Sequence, residues 1–333
     1  MTSLLRVAIV GCGAICGNHI KAIQEAGQQL CALCDVDLDA AREKAEKYGL
    51  TDVNLYSDYR TMLERESLDV VHICTPHHLH APMAIDALER NIHVLCEKPL
   101  CISLVQLHEL QEAVKHCTVQ LGVCHQNRYV PNMVRLKELS SVGVKAGFGS
   151  VVWRRDEAYY ESAPWRGTLA QEGGGVLINQ ALHTLDLMQW ICGFPKSVTA
   201  HIHNDLLQDV IEVEDTATAC FECENGVRFN FFATNTAVSD LPVQIQIKLN
   251  NGDMIHAQKD RFYLNDQLIG SADEAKTDGK QVWGAGHRAL VADFYECIQM
   301  KKHFALDVRE AGKVVRMILA AYASDGKTVE IPN

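Results

Sequence analysis

No apolar run in the 333-residue chain approaches the roughly 20 residues needed to cross a bilayer, so no membrane span is expected. The N-terminal stretch MTSLLRVAIV runs straight into a strand pattern and lacks the layout of a signal peptide. Positive charge is in short supply: 31 Lys and Arg stand against 42 Asp and Glu, a net charge of −11. That balance argues against nucleic acid or an anionic membrane as a partner. The 13 cysteines are an odd number scattered through apparent core strands, which points to reduced thiols in the cytoplasm rather than a disulfide framework. Repeats, low-complexity tracts and Pro/Ser linkers are absent, so two domains meeting tightly around a cleft are expected from this length.

What is present begins with Val7–Val10, a continuous apolar run of the kind covered on both faces of a sheet. Gly11-Cys12-Gly13-Ala14-Ile15-Cys16-Gly17 follows and opens a helical pattern through Ala26. Gly11 and Gly13 suit a tight strand-to-helix turn whose backbone N–H groups, with the helix N-terminus, cradle a pyrophosphate. The third position of the G-x-G-x-x-G pattern is Cys16, with Gly17 one place late. A second strand, Gln29–Cys34, ends at Asp35, near the roughly 20-residue offset of the ribose-binding carboxylate, which favours NAD over NADP. Asp37 or Asp39 is left to cap the next helix, Ala40–Tyr48.

The alternation continues with a helix near Asp58–Glu64, the strand Val70–Cys74, a helix from His80 to Arg90, a strand over 92–96, the helix Ser103–His116 and the strand Thr118–Val123. Such alternation predicts a doubly wound parallel sheet. Thr75, Pro76, His77 and His80 lie at the carboxyl end of Val70–Cys74, a natural place for cofactor contacts. The three histidines within four positions lack an acidic or cysteine partner at ligand spacing, so no metal site is expected. Cys31/Cys34 and Cys220/Cys223 read as core thiols on strands. Asn91–Leu100 ends abruptly in Glu97-Lys98-Pro99, where the proline stops the ladder and restricts the residue before it. Lys98 there is either a solvated strand-end lysine or a cation placed to polarise a substrate oxygen.

Beyond Val123 the pattern changes. A polar crossing segment, His125-Gln126-Asn127-Arg128-Tyr129, precedes a helix from Pro131 to Leu139. Strand-like runs follow at Ser150–Asp156, Ser197–His203, Thr216–Cys223, Val227–Thr234, Val243–Leu249 and Asp253–Gln258. Asn225-Gly226 marks a hairpin with a type I′ turn, and Met254 to Leu264 forms another strand pair. Helices near His287–Met300 and Val308–Ser324 close the chain. The prediction is a second, α+β domain with a large, mostly antiparallel open sheet. Within it, the helical stretch 176–187 carries Asn179, His183 and Asp186, spaced by four and three and therefore on one face. A polar stripe on an otherwise apolar helix either lines a site or is a core histidine satisfied by Asp186. Trp165-Arg166 offers an aromatic face and a forked cation suited to a nicotinamide ring or a phosphate; an ordinary surface pair is the alternative.

VAIVGCGAICGNH, ICTPHHLH, HVLCEKPL, the QNRY segment, PWRGT and GGGVLINQALHTLDL, in this order over about the first 195 residues, resemble the glucose–fructose oxidoreductase/inositol dehydrogenase/MocA family. The resemblance implies a Rossmann domain over 1–123 and a substrate-binding, oligomerising domain over 124–333. It further implies NAD(P)-dependent oxidation or reduction of sugars and cyclitols, with Lys98 catalytic beside a cis-proline. Ala14, Ile15, Glu97, Lys98, Gln126 and Trp283 join Gly11, Gly13, Asp35, Thr75, Pro76, His77, His80, Trp165 and Arg166 as expected cofactor contacts. His183 is the expected base, with Asn179, Asp186, Arg128, Tyr160 and His125 as substrate contacts. Inositol dehydrogenase-like members carry aspartate where this chain has Asn179, which separates substrate class from substrate identity. NAD-dependent glycoside cleavage through transient oxidation, and a non-catalytic cofactor-bound sensor, are the alternatives. A homodimer or homotetramer assembled through the second sheet is expected.

Overall fold

In the computed structural model, which describes residues 4–258, 260–271 and 285–332, six strands alternate with helices through the first 130 residues. They are β1 (Arg6–Val10), β2 (Gln29–Cys34), β3 (Asn54–Tyr56), β4 (Val70–Ile73), β5 (His93–Cys96) and β6 (Leu121–Val123). They form one parallel sheet in the order β3-β2-β1-β4-β5-β6. β1, β4 and β5 are buried along nearly their whole length, which is why they read as unbroken apolar runs. The helices are delimited by local chemistry: Asp37, Asp58 and Ser103 each accept a backbone N–H at a helix start. The order in which strands are added reverses between β1 and β4 while all stay parallel, so the Gly-rich turn and the Thr75 and Lys98 turns all leave the carboxyl edge of central strands, where such sheets bind ligands.

The second sheet has nine strands: β7 (Val144–Val152), β8 (Pro195–His203), β9 (Thr216–Cys223), β10 (Arg228–Thr234), β11 (Gln244–Leu249), β12 (Met254–Ala257), β13 (Arg261–Leu264), β14 (Gln267–Ser271) and β15 (Thr328–Glu330). Their order is β14-β13-β12-β11-β7-β10-β9-β8-β15, antiparallel throughout except for β7 beside β10. β10 and β11 alternate buried and exposed residues, so one face of the sheet packs on apolar neighbours and the other stays open.

Several expectations are corrected. β7 starts at Val144, six residues before the expected Ser150, because Gly147 and Gly149 dilute its apolar signal. Both glycines are required there: a Cβ on Gly147 would lie 2.8 Å from the Met188 methyl, and one on Gly149 2.9 Å from the Phe231 ring. The hairpin at Asn225-Gly226 forms, but not with a type I′ turn. Only Gly226 has positive φ, and Cys223 N–H donates to Val227 across a three-residue loop. The type I′ signature, positive φ at both central residues, falls instead at Asn265 and Asp266 between β13 and β14. The three-residue edge strands β3 and β15 carry too little pattern to be seen beforehand.

By internal packing the chain divides into two compact units, Met1–Tyr129 with Ala275–Ala311, and Val130–Glu274 with Gly312–Asn333. Where a division at residue 123 is expected, the chain leaves the first unit after Tyr129, returns to it over Ala275–Ala311 and ends in the second. The return has a physical cause: Leu290, Val291, Phe294, Tyr295, Phe304 and Leu306 complete the core of the first unit. Each such side chain contributes about 1.5–3 kcal/mol on full burial.

Candidate active site

The Gly-rich turn is shaped by contacts a side chain would block. Gly11 has φ +94°, and a Cβ there would lie 2.5 Å from the Cys74 carbonyl oxygen. Gly13 and Ala14 are exposed and Ile15 half-buried. The following helix, Cys16–Glu25, has no side-chain cap and no acidic residue in its first turn. An uncapped N-terminus behind two accessible small residues fits a pyrophosphate. The displaced glycine, Gly17, has its own reason: a Cβ there would collide with the Tyr48 hydroxyl. Asp35 accepts from Cys12 N at 2.7 Å and from Asp37 N at 3.0 Å, one backbone donor per oxygen. Its carboxylate is thereby fixed beside the turn, with lone pairs remaining for ribose hydroxyls.

At the next two strand ends the expected contacts separate. Thr75 and Pro76 are half-buried, whereas His77 is buried and opens a short 3-10 turn. His80 does begin its helix, but its ring is a strut rather than an exposed contact: Nδ1 lies 2.6 Å from the Pro99 carbonyl oxygen and Nε2 2.8 Å from that of Thr75. Burial holds this imidazole below the ordinary histidine range despite the two carbonyls. The Lys98–Pro99 bond is cis. Lys98 is half-exposed between buried Glu97 and buried Pro99.

The Glu97 carboxylate, expected among the cofactor contacts, turns inward. Its Oε1 meets His19 Nε2 and His287 Nε2, each at 3.1 Å, and its Oε2 accepts from Lys98 N at 3.1 Å. His19, Glu97 and His287 are also the one cluster among the described residues whose side-chain ligand atoms lie together closely enough for a metal ion, within 4.8 Å of one another. No sequence spacing revealed it, since the three residues come from separate elements.

The crossing segment forms a 3-10 turn, Gln126–Tyr129. His125 and Gln126 are buried, and Arg128 pairs with Glu310 at 2.9 Å, a partner 182 positions away. A Cβ on Gly286 would overlap the Gln126 carbonyl, so the return segment approaches this turn closely. Trp283 lies outside the described residues.

In the second unit the expected continuous helix is broken into Val176–Asn179 and Leu182–Cys192. Glu214 explains where it starts: its carboxylate accepts from Gly175 N at 2.8 Å, Leu177 N at 2.9 Å and the Tyr322 hydroxyl at 2.9 Å. Burial outweighs these donors and pushes its pKa up to about 7. Across residues 176–189 every residue is buried except Asn179 and His183. Asp186 parts from them: it is buried and accepts from Gln189 Nε2 at 3.2 Å.

Asn179 Nδ2 donates to the buried carboxylate of Glu172, which also accepts from Gly167 N. This orients the amide and ties it to the Trp165-Arg166-Gly167 segment. The Arg166 guanidinium stacks on Tyr159 at 4.4 Å and on Trp165 at 4.8 Å from the ring centroids. Gln180 donates to the Tyr159 hydroxyl at 3.2 Å, and Asn235 donates to Gln180 Oε1 at 3.2 Å and to the Tyr160 hydroxyl at 2.9 Å. Burial raises the Tyr160 pKa above the ordinary phenol range. Glu172, Glu214, Tyr159, Gln180 and Asn235 were not singled out in the sequence, and only their partners reveal them.

Residues 5–125 match the model of an oxidoreductase family with an NAD-binding Rossmann fold, and residues 145–255 match the GFO/IDH/MocA C-terminal domain. Among curated relatives, D-glucoside 3-dehydrogenase of Escherichia coli is 32% identical over 60% of this chain and 58% of that enzyme. Myo-inositol 2-dehydrogenase of Thermotoga maritima is 29% identical over 57% of this chain and 55% of its own length. The matched region therefore spans little more than half of either relative. Over nearly the whole chain, 99%, and all of the other, the structure resembles the WlbA dehydrogenase from Bordetella pertussis in complex with NADH and UDP-GlcNAcA, with a TM-score of 0.87 and 26% identity.

Proposed function

The chain belongs to the GFO/IDH/MocA family of oxidoreductases, and on that premise we propose that it is an NAD-dependent enzyme. It transfers hydride between the nicotinamide and a secondary hydroxyl or ketone of a sugar, cyclitol or sugar derivative. The observation that carries this reading is the Glu-Lys-Pro turn. It presents Lys98 half-exposed at the carboxyl edge of a parallel sheet whose neighbouring Gly-rich turn opens an uncapped helix. The dehydrogenase relatives and the NADH-bound structural neighbour support it.

Gly11, Gly13, Ala14, Ile15 and Asp35 would hold the dinucleotide, with Thr75 and Pro76 beside it, and bound NAD supplies the hydride acceptor. Trp165 and Arg166 are assigned to the ring or phosphate end, and Gln126 to a backbone-level contact. His183 removes the hydroxyl proton as the alcohol is oxidised, a task suited to an imidazole near neutral pH. The ammonium of Lys98 hydrogen-bonds the same oxygen and stabilises its alkoxide character. Asn179 positions a substrate hydroxyl, with Tyr160, Arg128 and His125 shaping the surroundings and Asp186 supporting the His183 helix from within.

Lys98→Ala and His183→Ala should each lower kcat by about 10²–10⁴ while NAD binding is retained; full turnover in both overturns the assignment. A panel of sugars and polyols followed by NADH release identifies the substrate class. It also separates net oxidation from glycoside cleavage with a retained cofactor.

The 13 cysteines, none of them in a disulfide among the described residues, support a reducing, cytoplasmic setting, and no helix among the described residues is long and apolar enough to cross a membrane. Assembly into a homodimer or homotetramer is assigned to the open face of the nine-stranded sheet, which bears the exposed ring of Phe148.

A further inference from the structure

Five side chains unused by the mechanism above form a buried chain beneath Lys98. The Tyr295 hydroxyl lies 2.8 Å from His72 Nε2, His72 Nδ1 lies 2.8 Å from His19 Nδ1, and His19 Nε2 lies 3.1 Å from Glu97 Oε1, where His287 Nε2 also arrives. Its members come from β4, the turn after β5 and two helices. One of those helices is Cys16–Glu25, which begins at the Gly-rich turn; the other, Ala285–Gln299, belongs to the return segment.

The direction of every bond follows from donor and acceptor inventory. An ionised carboxylate only accepts, so His19 and His287 both donate through Nε2. A neutral His19 must then accept at Nδ1, so His72 donates from Nδ1, accepts at Nε2, and Tyr295 donates its hydroxyl. Burial keeps the His19 and His72 rings below the ordinary histidine range. Burial alone would raise the Glu97 carboxyl, but the hydrogen bonds from the two histidines hold it well below the usual carboxylate range. The other titratable groups facing it are His80, whose ring burial holds below the ordinary histidine range, and Cys74, Cys96 and Cys124, whose thiol pKa burial raises, so they add no charge. Every bond in the chain pairs a donor with an acceptor and the two rings share one carboxylate oxygen, while His287 Nδ1 is buried with no hydrogen-bond partner among the described residues. The arrangement thus has a hydrogen-bonding account without a metal ion.

We propose that Glu97, clamped by His19 and His287, is the positioning residue for Lys98: its Oε2 fixes the Lys98 backbone, and its buried negative charge keeps the neighbouring ammonium protonated. This rests on Lys98 acting as a cation in the oxidoreductase reading. It couples the Gly-rich helix and the return segment to the Glu-Lys-Pro turn through a single carboxylate.

The test compares wild type with Glu97→Gln and His287→Asn for thermal midpoint, NAD affinity and the pH profile of kcat/KM. Nitrogen-15 NMR of the histidines in the wild type is read alongside. The expected results are Nε2–H tautomers for His19 and His287 and an Nδ1–H tautomer for His72. In Glu97→Gln the alkaline limb should move down by roughly one pH unit, as removal of a nearby buried charge predicts, with a smaller shift in His287→Asn. An unchanged alkaline limb in folded, NAD-binding variants overturns the proposal. So do an Nδ1–H tautomer at His19, stoichiometric metal in the purified protein, or failure of both variants to fold. A wild type inactive on every sugar and polyol would defeat the oxidoreductase reading instead, and the histidine spectra would then still report on the clamp.

Discussion

Asp35 illustrates how much one residue can decide. Its two oxygens are each anchored by a backbone N–H, so the carboxylate is held beside the Gly-rich turn, where the proposed reading puts the adenosine ribose. A 2′-phosphate placed there would meet a fixed negative charge. Wild-type protein should bind NAD more tightly than NADP by calorimetry, and Asp35→Ser should narrow the gap by roughly tenfold. Equal affinities in the wild type would refute the role. Lys98 and His183 were visible in sequence because each stands in a distinctive local string. Glu172 was not: its importance lies in touching Asn179 and Gly167, and no spacing rule announces that.

Elements were legible where one physical pattern dominated. The buried strands β1, β4 and β5 and the capped helices agree with expectation to within about two residues. Where two requirements competed, reading failed. β7 sacrifices apolar side chains at Gly147 and Gly149 so that Met188 and Phe231 can pack closely. The helical stretch from residue 176 reads as continuous, yet it breaks at 180–181, and the face shared by Asn179 and His183 is set by burial around the break.

The start of that stretch gives a pH prediction. The ordinary glutamate value of 4.5 rises to about 7 at buried Glu214. The folded state therefore binds this proton more tightly than the unfolded chain. The contribution to stability is full below about pH 4.5 and is lost as pH rises to about 7. Its upper bound is about 3 kcal/mol. The thermal midpoint of the wild type should carry this downward slope and Glu214→Gln should lack it; identical slopes would count against the assignment.

For the whole molecule, the open sheet face leads to an association prediction. Sedimentation at micromolar concentration should show a dimer or tetramer, and Phe148→Glu on that face should shift the population towards monomer without lowering the thermal midpoint of the monomer by more than about 1 kcal/mol equivalent. A wild type that sediments as a monomer contradicts this. Added NAD should raise the thermal midpoint, because a ligand that binds only the folded state stabilises it by mass action.

Local strings determined a parallel dinucleotide-binding sheet, the Gly-rich turn, Asp35, the Glu-Lys-Pro turn and a following antiparallel sheet, because turn geometry, strand burial and helix capping act over a few residues. Tertiary structure alone decided that the chain returns to its first unit, that Glu97 faces inward between His19 and His287, and that Glu172 orients Asn179. Those choices depend on which distant side chains must share a buried donor, acceptor or apolar surface, and that information belongs to the packed molecule.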